Sequence, residues 1–222
     1  MQIDLLYKNL GIKDMNAMQR SAFKMSENQR DLILLSPTGS GKTLAFLFPT
    51  LRDLNPDVKG VQTLILVPAR ELALQIETVF KSMKSDYKVT CCYGGHNTKV
   101  EQNTLLEAPA VLIGTPGRIA YHLRNENFDP STVQTLILDE FDKALELGFQ
   151  EDMSFIVEQL SGLKQRILTS ATEMENIPEF VGLNDEKIVS YLKQIEVKPD
   201  LHMKMVNTIS EEKLDTLFNL IC

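Results

Sequence analysis

The chain has 222 residues, of which 43% are hydrophobic and 24% charged, as in an ordinary globular domain. Its formal net charge of −7 argues against holding nucleic acid by a broad basic surface, but not against a local cleft with a few basic groups. No apolar run approaches the roughly 20 residues that a membrane-spanning helix needs, and the N-terminal residues lack a signal-peptide pattern. We therefore expect a cytoplasmic protein that makes no membrane contact.

The cysteines and histidines show no disulfide or zinc pattern. Cys91 and Cys92 are adjacent, and we interpret them as small residues of a strand. His96, His122 and His202 are far apart and lack metal-ligand spacing, so we expect no zinc. Nothing in the sequence suggests more than a monomer.

Short apolar runs alternate along the chain with longer amphipathic segments. The apolar runs predict strands at residues 32–35, 63–67, 89–93, 111–113, 135–138, 166–169 and 187–190. The amphipathic segments predict helices at residues 42–52, 69–84, 99–107, 116–124, 149–160, 177–181 and 211–221. This alternation predicts an α/β fold with a mostly parallel central sheet and helices on both faces. Ligands of such folds bind at the carboxyl ends of the strands.

The first predicted strand runs into Ser-Pro-Thr-Gly-Ser-Gly-Lys-Thr, which matches the P-loop pattern G-x-x-x-x-G-K-[ST] except that Ser36 replaces the first glycine. Gly39 and Gly41 allow the backbone to point its N–H groups at phosphate oxygens, and the following helix adds its positive end. Lys42 is expected to reach the β- and γ-phosphates, and the Thr43 hydroxyl to ligate Mg²⁺. The predicted nucleotide-binding residues are Ser36, Pro37, Thr38, Gly39, Ser40, Gly41, Lys42 and Thr43.

The strand at 135–138 ends in two carboxylates, Asp139 and Glu140. Asp139 is expected to hold Mg²⁺ together with Thr43, and Glu140 to orient or deprotonate the attacking water. Taken alone, two acidic residues here are equally compatible with the start of a helix. In combination with the phosphate-binding loop they favour a catalytic set of Lys42, Asp139 and Glu140.

Further motifs follow the predicted strands in order. They are Pro-Ala-Arg-Glu-Leu from Pro68, Gly94-Gly95, Thr-Pro-Gly-Arg from Thr115, Asp-Glu-Phe-Asp from Asp139 and Ser-Ala-Thr from Ser170. Jointly, this set resembles the first RecA-like domain of a DEAD-box RNA helicase of the bacterial type, with Asp-Glu-Phe-Asp as a variant of the motif that names the family. The resemblance covers residues 1–190 and implies a RecA-like P-loop NTPase fold that binds ATP and Mg²⁺.

The resemblance also implies roles for single residues. Gln19, in Gly-Ile-Lys-Asp-Met-Asn-Ala-Met-Gln, corresponds to the glutamine that recognises adenine, whose N6 and N7 a side-chain amide can pair. Asp142, Ser170 and Thr172 correspond to the residues that couple hydrolysis to domain closure. The positions that contact the RNA backbone in the family are Ala69, Arg70, Gly95, Thr115, Gly117 and Arg118.

Backbone N–H groups, a hydroxyl and arginines suit phosphate oxygens and carry no sequence information. Without the pattern, Arg70 and Arg118 would be interpreted as surface salt-bridge partners. Several residues depart from the family pattern, Ala69 and Phe141 among them. Ala69 stands where threonine is usual, which removes a hydroxyl from the RNA surface, and Phe141 stands where alanine is usual, which requires packing for a bulky ring.

Residues 191–222 resemble the interdomain linker and first helix of a second RecA-like domain, so we expect the chain to be a piece of a longer protein. In the family, that second domain carries arginine fingers and half of the RNA surface. The resemblance thus implies the ATP-binding half of an ATP-dependent RNA helicase, with RNA (a single strand or short duplex) and the second domain as partners. Local duplex unwinding or RNP remodelling would belong to the longer protein, and the isolated chain would be nearly inactive.

Two other functions are compatible with the phosphate-binding loop. A small-molecule kinase would need an acceptor pocket and usually an arginine-rich lid, and it would leave Ser-Ala-Thr unexplained. A nucleotide-gated RNA clamp or scaffold, whose slow hydrolysis acts as a timer, remains the alternative to a helicase.

Overall fold

The computed structural model describes residues 3–27, 31–174, 176–192, 205–208 and 212–221. Within these residues, the strands are β1 (Leu32–Leu35), β2 (Thr63–Leu66), β3 (Val89–Cys92), β4 (Val111–Gly114), β5 (Thr135–Leu138), β6 (Gln165–Ser170) and β7 (Lys187–Ser190). They form one sheet in the order β3-β4-β2-β5-β6-β1-β7, and all pairings are parallel.

The helices lie before, between and after these strands. They are α1 (Ile3–Leu10), α2 (Ala17–Met25), α3 (Lys42–Asp53), α4 (Arg70–Ser82), α5 (Thr98–Leu105), α6 (Pro116–Arg124), α7 (Phe141–Glu146), α8 (Gln150–Gln159) and α9 (Lys213–Ile221). Short 3-10 turns occur at Pro130–Thr132 and Glu179–Val181. None of the described helices is long and apolar enough to cross a membrane.

Apart from the edge strand β7, the sheet is buried on both faces, because alternate side chains of its strands pack into separate apolar clusters. In β1, Leu32 and Leu34 pack with residues of α1, α2, α3 and α4. Ile33 and Leu35, the alternate residues, pack with residues of α5, α6, α7 and α8. The predicted α/β architecture, with a parallel sheet between two helical layers, is thus confirmed.

Most predicted elements differ from the observed ones by one to three residues at their ends. Helices α1, α2 and α7 were not predicted. The helix expected at 177–181 is wrong: only the 3-10 turn Glu179–Val181 forms there. Pro178 disfavours helical geometry at the residue before it, and Gly182, with φ of 64°, ends the turn at once. Residues 193–204, most of the predicted linker, lie outside the described residues, as does His202.

Candidate functional site

Nearly all the predicted site residues lie along the carboxyl edge of the sheet, because each motif follows the end of a parallel strand. The sheet order separates them into two groups. The phosphate-binding loop, the carboxylates and the Ser-Ala-Thr motif follow the neighbouring strands β1, β5 and β6. The predicted RNA-contacting residues follow β2, β3 and β4, which are also neighbours. Gln19 joins the first group from α2.

The Lys42 ammonium group is hydrogen-bonded within the phosphate-binding loop. Lys42 opens α3, and its Nζ donates to the carbonyl oxygens of Ser36 at 2.6 Å and Pro37 at 3.0 Å. Burial lowers the pKa of Lys42, while the neighbouring carboxylates, Asp139 first, act to raise it. Lys42 as a residue is only 8% exposed. A ligand phosphate would therefore meet a positive charge that water screens weakly.

The loop also fits phosphate by its unused hydrogen-bonding groups. Among the described residues, the buried hydroxyls of Ser36 and Ser40 have no hydrogen-bond partner. A pocket of about 450 Å³ is lined by Thr38, Gly39, Gly41, Lys42, Thr43, Leu72, Gln75, Asp139 and Glu140. An ammonium, threonine hydroxyls and carboxylates in one pocket match the phosphates of a nucleotide with a hard cation. Leu72 and Gln75 of α4 were not predicted as pocket residues.

Gln19 is tied to the phosphate-binding loop. Its side-chain carbonyl accepts from the Asn16 N–H at 2.9 Å, and the Asn16 side chain accepts from the Gln19 N–H at 2.9 Å, so the pair caps α2. The Gln19 amide also donates to the Gly41 carbonyl at 3.2 Å. A Cβ at position 41 would lie 2.7 Å from the Gln19 nitrogen, and φ of 92° further favours glycine there.

Asp139 and Glu140 form the turn after β5. Asp139 is 5% exposed, and burial raises its pKa to about 6. Its Oδ1 accepts a hydrogen bond from the Thr169 hydroxyl at 2.5 Å, and the same hydroxyl accepts from the Glu140 N–H at 3.1 Å. Glu140 has φ of 48° and ψ of 50°, a left-handed conformation that strains a residue with a side chain. Thr169 was not predicted as a site residue.

Asp142, Ser170 and Thr172 are brought into contact although 28 residues separate the first two in sequence. The Thr172 hydroxyl donates to Asp142 Oδ2 at 3.0 Å, and the Thr172 N–H donates to the Ser170 hydroxyl at 3.0 Å. This contact joins the turn after β5 to the end of β6. The other carboxylate oxygen of Asp142 is buried and has no partner among the described residues.

Phe141 fits its position by pointing away from the pocket. Its side chain is fully buried in the apolar cluster beneath β5, where its ring lies 6.4 Å from that of Phe180. The residue that departs from the family pattern is therefore a core residue.

The predicted RNA-contacting residues include two helix starts without a side-chain cap. Ala69 precedes α4 and Thr115 precedes α6, and neither side chain caps its helix, so backbone N–H groups remain for a ligand. Arg70 is exposed, and its guanidinium lies 5.1 Å from the centre of the Tyr93 ring. Gly95 is exposed in the loop after β3.

Arg118 is mostly buried, which sequence reasoning had not indicated. Its side chain is 14% exposed and pairs with Glu101 of α5 at 2.8 Å, while its guanidinium also donates to the His96 carbonyl. Glu101 additionally accepts from the Tyr93 N–H at 3.1 Å and lies 2.9 Å from His122 Nε2. This buried carboxylate therefore joins the loop after β3 to α6.

Cys92, Glu101 and His122 bring potential metal-ligand atoms within 4.8 Å of one another, which their spacing in sequence had not revealed. Glu101 is already neutralised by Arg118, whose positive charge would oppose a cation. Burial raises the pKa of the Cys92 thiol far above its ordinary value, which disfavours the thiolate that a metal requires. The expected absence of zinc stays a prediction.

Comparison with known proteins identifies similar chains. The sequence model described as DEAD/DEAH box helicase matches residues 16–180. ATP-dependent RNA helicase DeaD of Escherichia coli (strain K12) is 34% identical over 198 residues, which are 87% of this chain and 32% of that protein. The chain therefore spans about a third of the length of this curated relative.

Two solved structures share the fold. A hypothetical ATP-dependent RNA helicase from Sulfolobus tokodaii aligns with a TM-score of 0.77 and 27% identity, over 86% of this chain and 57% of that one. The yeast DEAD-box splicing factor Prp28 aligns with a TM-score of 0.72 and 29% identity, over 78% of this chain and 44% of that one.

Proposed function

Because this chain belongs to the DEAD/DEAH box helicase family, we propose that it is the ATP-binding half of an ATP-dependent RNA helicase. The observation that carries the proposal is the single pocket in which Lys42, Thr43, Asp139 and Glu140 meet at the carboxyl ends of β1 and β5. Lys42 binds the β- and γ-phosphates, and Glu140 orients the attacking water and accepts its proton. Thr43 and Asp139 would hold Mg²⁺, which when bound neutralises phosphate charge.

We assign adenine recognition to Gln19. Its amide oxygen and nitrogen each use one hydrogen bond, to Asn16 and Gly41, and each retains a second position for the base. The contact with Gly41 keeps the amide beside the phosphate-binding loop, which supports this assignment. An amide can match the N6 donor and N7 acceptor of adenine, whereas guanine presents two acceptors, O6 and N7, on the same edge and gives the amide oxygen no donor.

We propose that the RNA backbone lies over the ends of β2, β3 and β4. The uncapped starts of α4 and α6, at Ala69 and Thr115, offer N–H groups and a hydroxyl to phosphates, with Arg70, Gly95 and Gly117 beside them. Arg118 keeps its proposed place at this surface, although its pairing with Glu101 gives it a second task in holding the loop after β3. Asp142, which follows β5, and Ser170 and Thr172, at the end of β6, are the proposed coupling contact on the nucleotide side.

The domain boundary is proposed near residue 190, where β7 ends. The described part of the following segment supports this boundary, because the side chains of Leu214, Leu217, Phe218 and Leu220 on α9 are exposed. Apolar residues at helical spacing usually face a core, so we assign α9 to the second RecA-like domain of the longer protein. That protein would act on RNA as a monomer in the cytoplasm, by local strand separation.

The direct test is a titration of the 222-residue chain with fluorescent ADP and, separately, fluorescent GDP, in the presence of Mg²⁺. We expect saturable binding that favours ADP. Lys42→Ala should abolish it, because the loop loses its only charged phosphate ligand. Lys81→Ala is the matched control, since Lys81 is exposed on α4 and pairs with Glu77 instead.

Each outcome tests a separate part of the proposal. Equal binding of ADP and GDP would remove the role given to Gln19 and keep the phosphate site. Absence of binding by the unmodified chain, with its fold verified by circular dichroism, would contradict the nucleotide site itself.

A further inference from the structure

Within the sheet, Thr169 pairs with the apolar Leu34 of β1 on one side and contacts Asp139, after β5, on the other. It is fully buried near the carboxyl end of β6, directly after Ile167 and Leu168 of the core. Strand β6 lies between β1, which leads into the phosphate-binding loop, and β5, which leads into Asp139. Leu168 pairs with Leu138 in the parallel register, so the next step along both strands brings Thr169 level with Asp139.

The Thr169 hydroxyl joins two consecutive residues of the turn. It makes one hydrogen bond to the Asp139 carboxylate, at 2.5 Å, and one to the Glu140 N–H, at 3.1 Å. The direction of both bonds is determined, because an N–H can only donate and an ionised carboxylate can only accept. The hydroxyl therefore donates a hydrogen bond to the Asp139 carboxylate and accepts one from the Glu140 N–H.

A hydrocarbon side chain at this position would leave both partners unsatisfied. Asp139 is 5% exposed, so its Oδ1 would lose a charge-assisted bond without gaining full contact with water. The Glu140 N–H lies in a left-handed turn that is intrinsically strained, and Thr169 is the side chain that holds it there. Valine has almost the same shape as threonine and would pack equally well in the strand. Packing alone therefore does not explain the hydroxyl at this position.

We propose that Thr169 is a positioning residue for hydrolysis: its hydroxyl aims the Asp139 carboxylate at the nucleotide-bound Mg²⁺ and holds Glu140 in the turn that presents it to water. The inference rests on the proposed nucleotide site and extends it to a residue outside the motifs. Hydrogen-bonded partners of metal ligands commonly set the orientation, and hence the affinity, of the ligands they touch. Thr169 acts in this way from the strand that also carries Ser170.

The experiment uses the 222-residue chain with Thr169→Val, Thr169→Ser and the control Thr63→Val. Thr63 is also a buried strand threonine, 2% exposed, but it is the first residue of β2 and lies at the amino ends of the strands, away from the proposed site. Binding of fluorescent ADP is measured first in EDTA and then as Mg²⁺ is titrated at fixed ADP. Thermal unfolding of each variant, measured alongside, reports its fold.

We expect Thr169→Val to raise the Mg²⁺ concentration that gives the half-maximal change in ADP binding by about tenfold or more. The reason is that the Asp139 carboxylate is no longer oriented by a hydrogen bond. Binding of ADP in EDTA should be unchanged, since Lys42 and the loop are intact. Thr169→Ser keeps the hydroxyl and should restore the Mg²⁺ response, and Thr63→Val should match the unmodified chain. If the valine variant does not fold, Thr169→Ala is compared with Thr169→Ser in the same way.

A valine variant with an unchanged Mg²⁺ response would overturn the inference while leaving the proposed function intact. Equal losses of ADP binding with and without Mg²⁺ would also overturn it, because they indicate a general structural role. If the unmodified chain binds no ADP, the proposed function fails and this inference fails with it.

Discussion

At the scale of single residues, Asp139 is a carboxylate whose surroundings oppose its charge. Burial is the largest influence and raises its pKa to about 6, and the Glu140 carboxylate raises it further. The Thr169 hydroxyl and the Lys42 ammonium act in the opposite direction. In the absence of a ligand, the carboxylate is therefore held in place at a cost to the free energy of folding, as is common for groups arranged for a ligand.

This cost predicts that Asp139→Asn stabilises the ligand-free chain at neutral pH. Because the folded pKa of about 6 exceeds the ordinary value of 3.8, the native state holds a proton between these pH values that the unfolded chain has lost. The stability from this group is thus complete below about pH 4 and is lost as pH rises through 6. The asparagine variant should be more stable by on the order of 1–3 kcal/mol at pH 7, with the gap closing toward pH 4.

Urea unfolding of both proteins across this pH range measures the gap. Asp57→Asn, at an exposed loop residue, is the control for removing a carboxylate. A gap that does not change with pH would mean that the Asp139 environment is not the source of the difference.

At the scale of secondary-structure elements, the proposed RNA-binding surface depends on one buried carboxylate. Glu101 of α5 is 2% exposed and contacts Arg118 and His122 of α6 as well as Tyr93 and His96 after β3. Glu101 thus links α5 to α6 and to the segment after β3 through an ion pair and hydrogen bonds. The relative positions of Gly95 and Thr115, both proposed to contact RNA, follow from this network.

We predict that Glu101→Ala lowers the free energy of unfolding by on the order of 3–5 kcal/mol, because Arg118 is left as a buried charge without its partner. Glu107→Ala, at an exposed glutamate just after α5, should have little effect and serves as the control. Denaturant unfolding measures both variants. A small loss for Glu101→Ala, similar to that of the control, would show that water reaches Arg118 and that the network is not a structural requirement.

At the scale of the whole molecule, the sheet order divides the proposed site residues into two adjoining half-sites. Nucleotide-side residues follow β1, β5 and β6, and RNA-side residues follow β2, β3 and β4, with the β2–β5 pairing as the boundary between them. Each half-site is open along the carboxyl edge. A second domain closing over this edge would contact both at once, which is a physical route for coupling ATP hydrolysis to RNA binding.

We predict that the 222-residue chain alone turns over ATP very slowly and without stimulation by RNA. In related P-loop enzymes, arginine fingers supplied from outside the nucleotide site contribute on the order of 10³-fold or more. Phosphate release with and without RNA measures this, with a full-length relative as the positive control. Robust RNA-stimulated turnover by the chain alone would refute the need for a second domain.

We also predict that the chain alone binds RNA only weakly, given its net charge of −7. A gel shift at low salt measures this binding.

The fold class, and the place of most proposed site residues at strand ends, could be predicted from the sequence, for reasons that are local. Continuous apolar runs indicate strands buried on both faces, and the phosphate-binding loop and Asp139-Glu140 each sit directly after such a run. The short helices were harder. Helix α2 depends on the capping box between Asn16 and Gln19, and α7 begins at a strained glutamate, so neither shows a long apolar period.

By itself, the sequence determined the α/β class, the family and the order of motifs along the chain, because these depend on local periodicity and on adjacent residues. Only the tertiary structure decided which motifs are neighbours, because the sheet order is not the chain order. It also revealed Thr169, which contacts Asp139 across 30 residues of sequence, and Glu101, which pairs with Arg118 across 17. These pairs become adjacent only when β6 pairs with β5 and α5 packs beside α6. A buried hydroxyl or carboxylate gains its role from such contacts, since the polar group must find its partners where water is excluded.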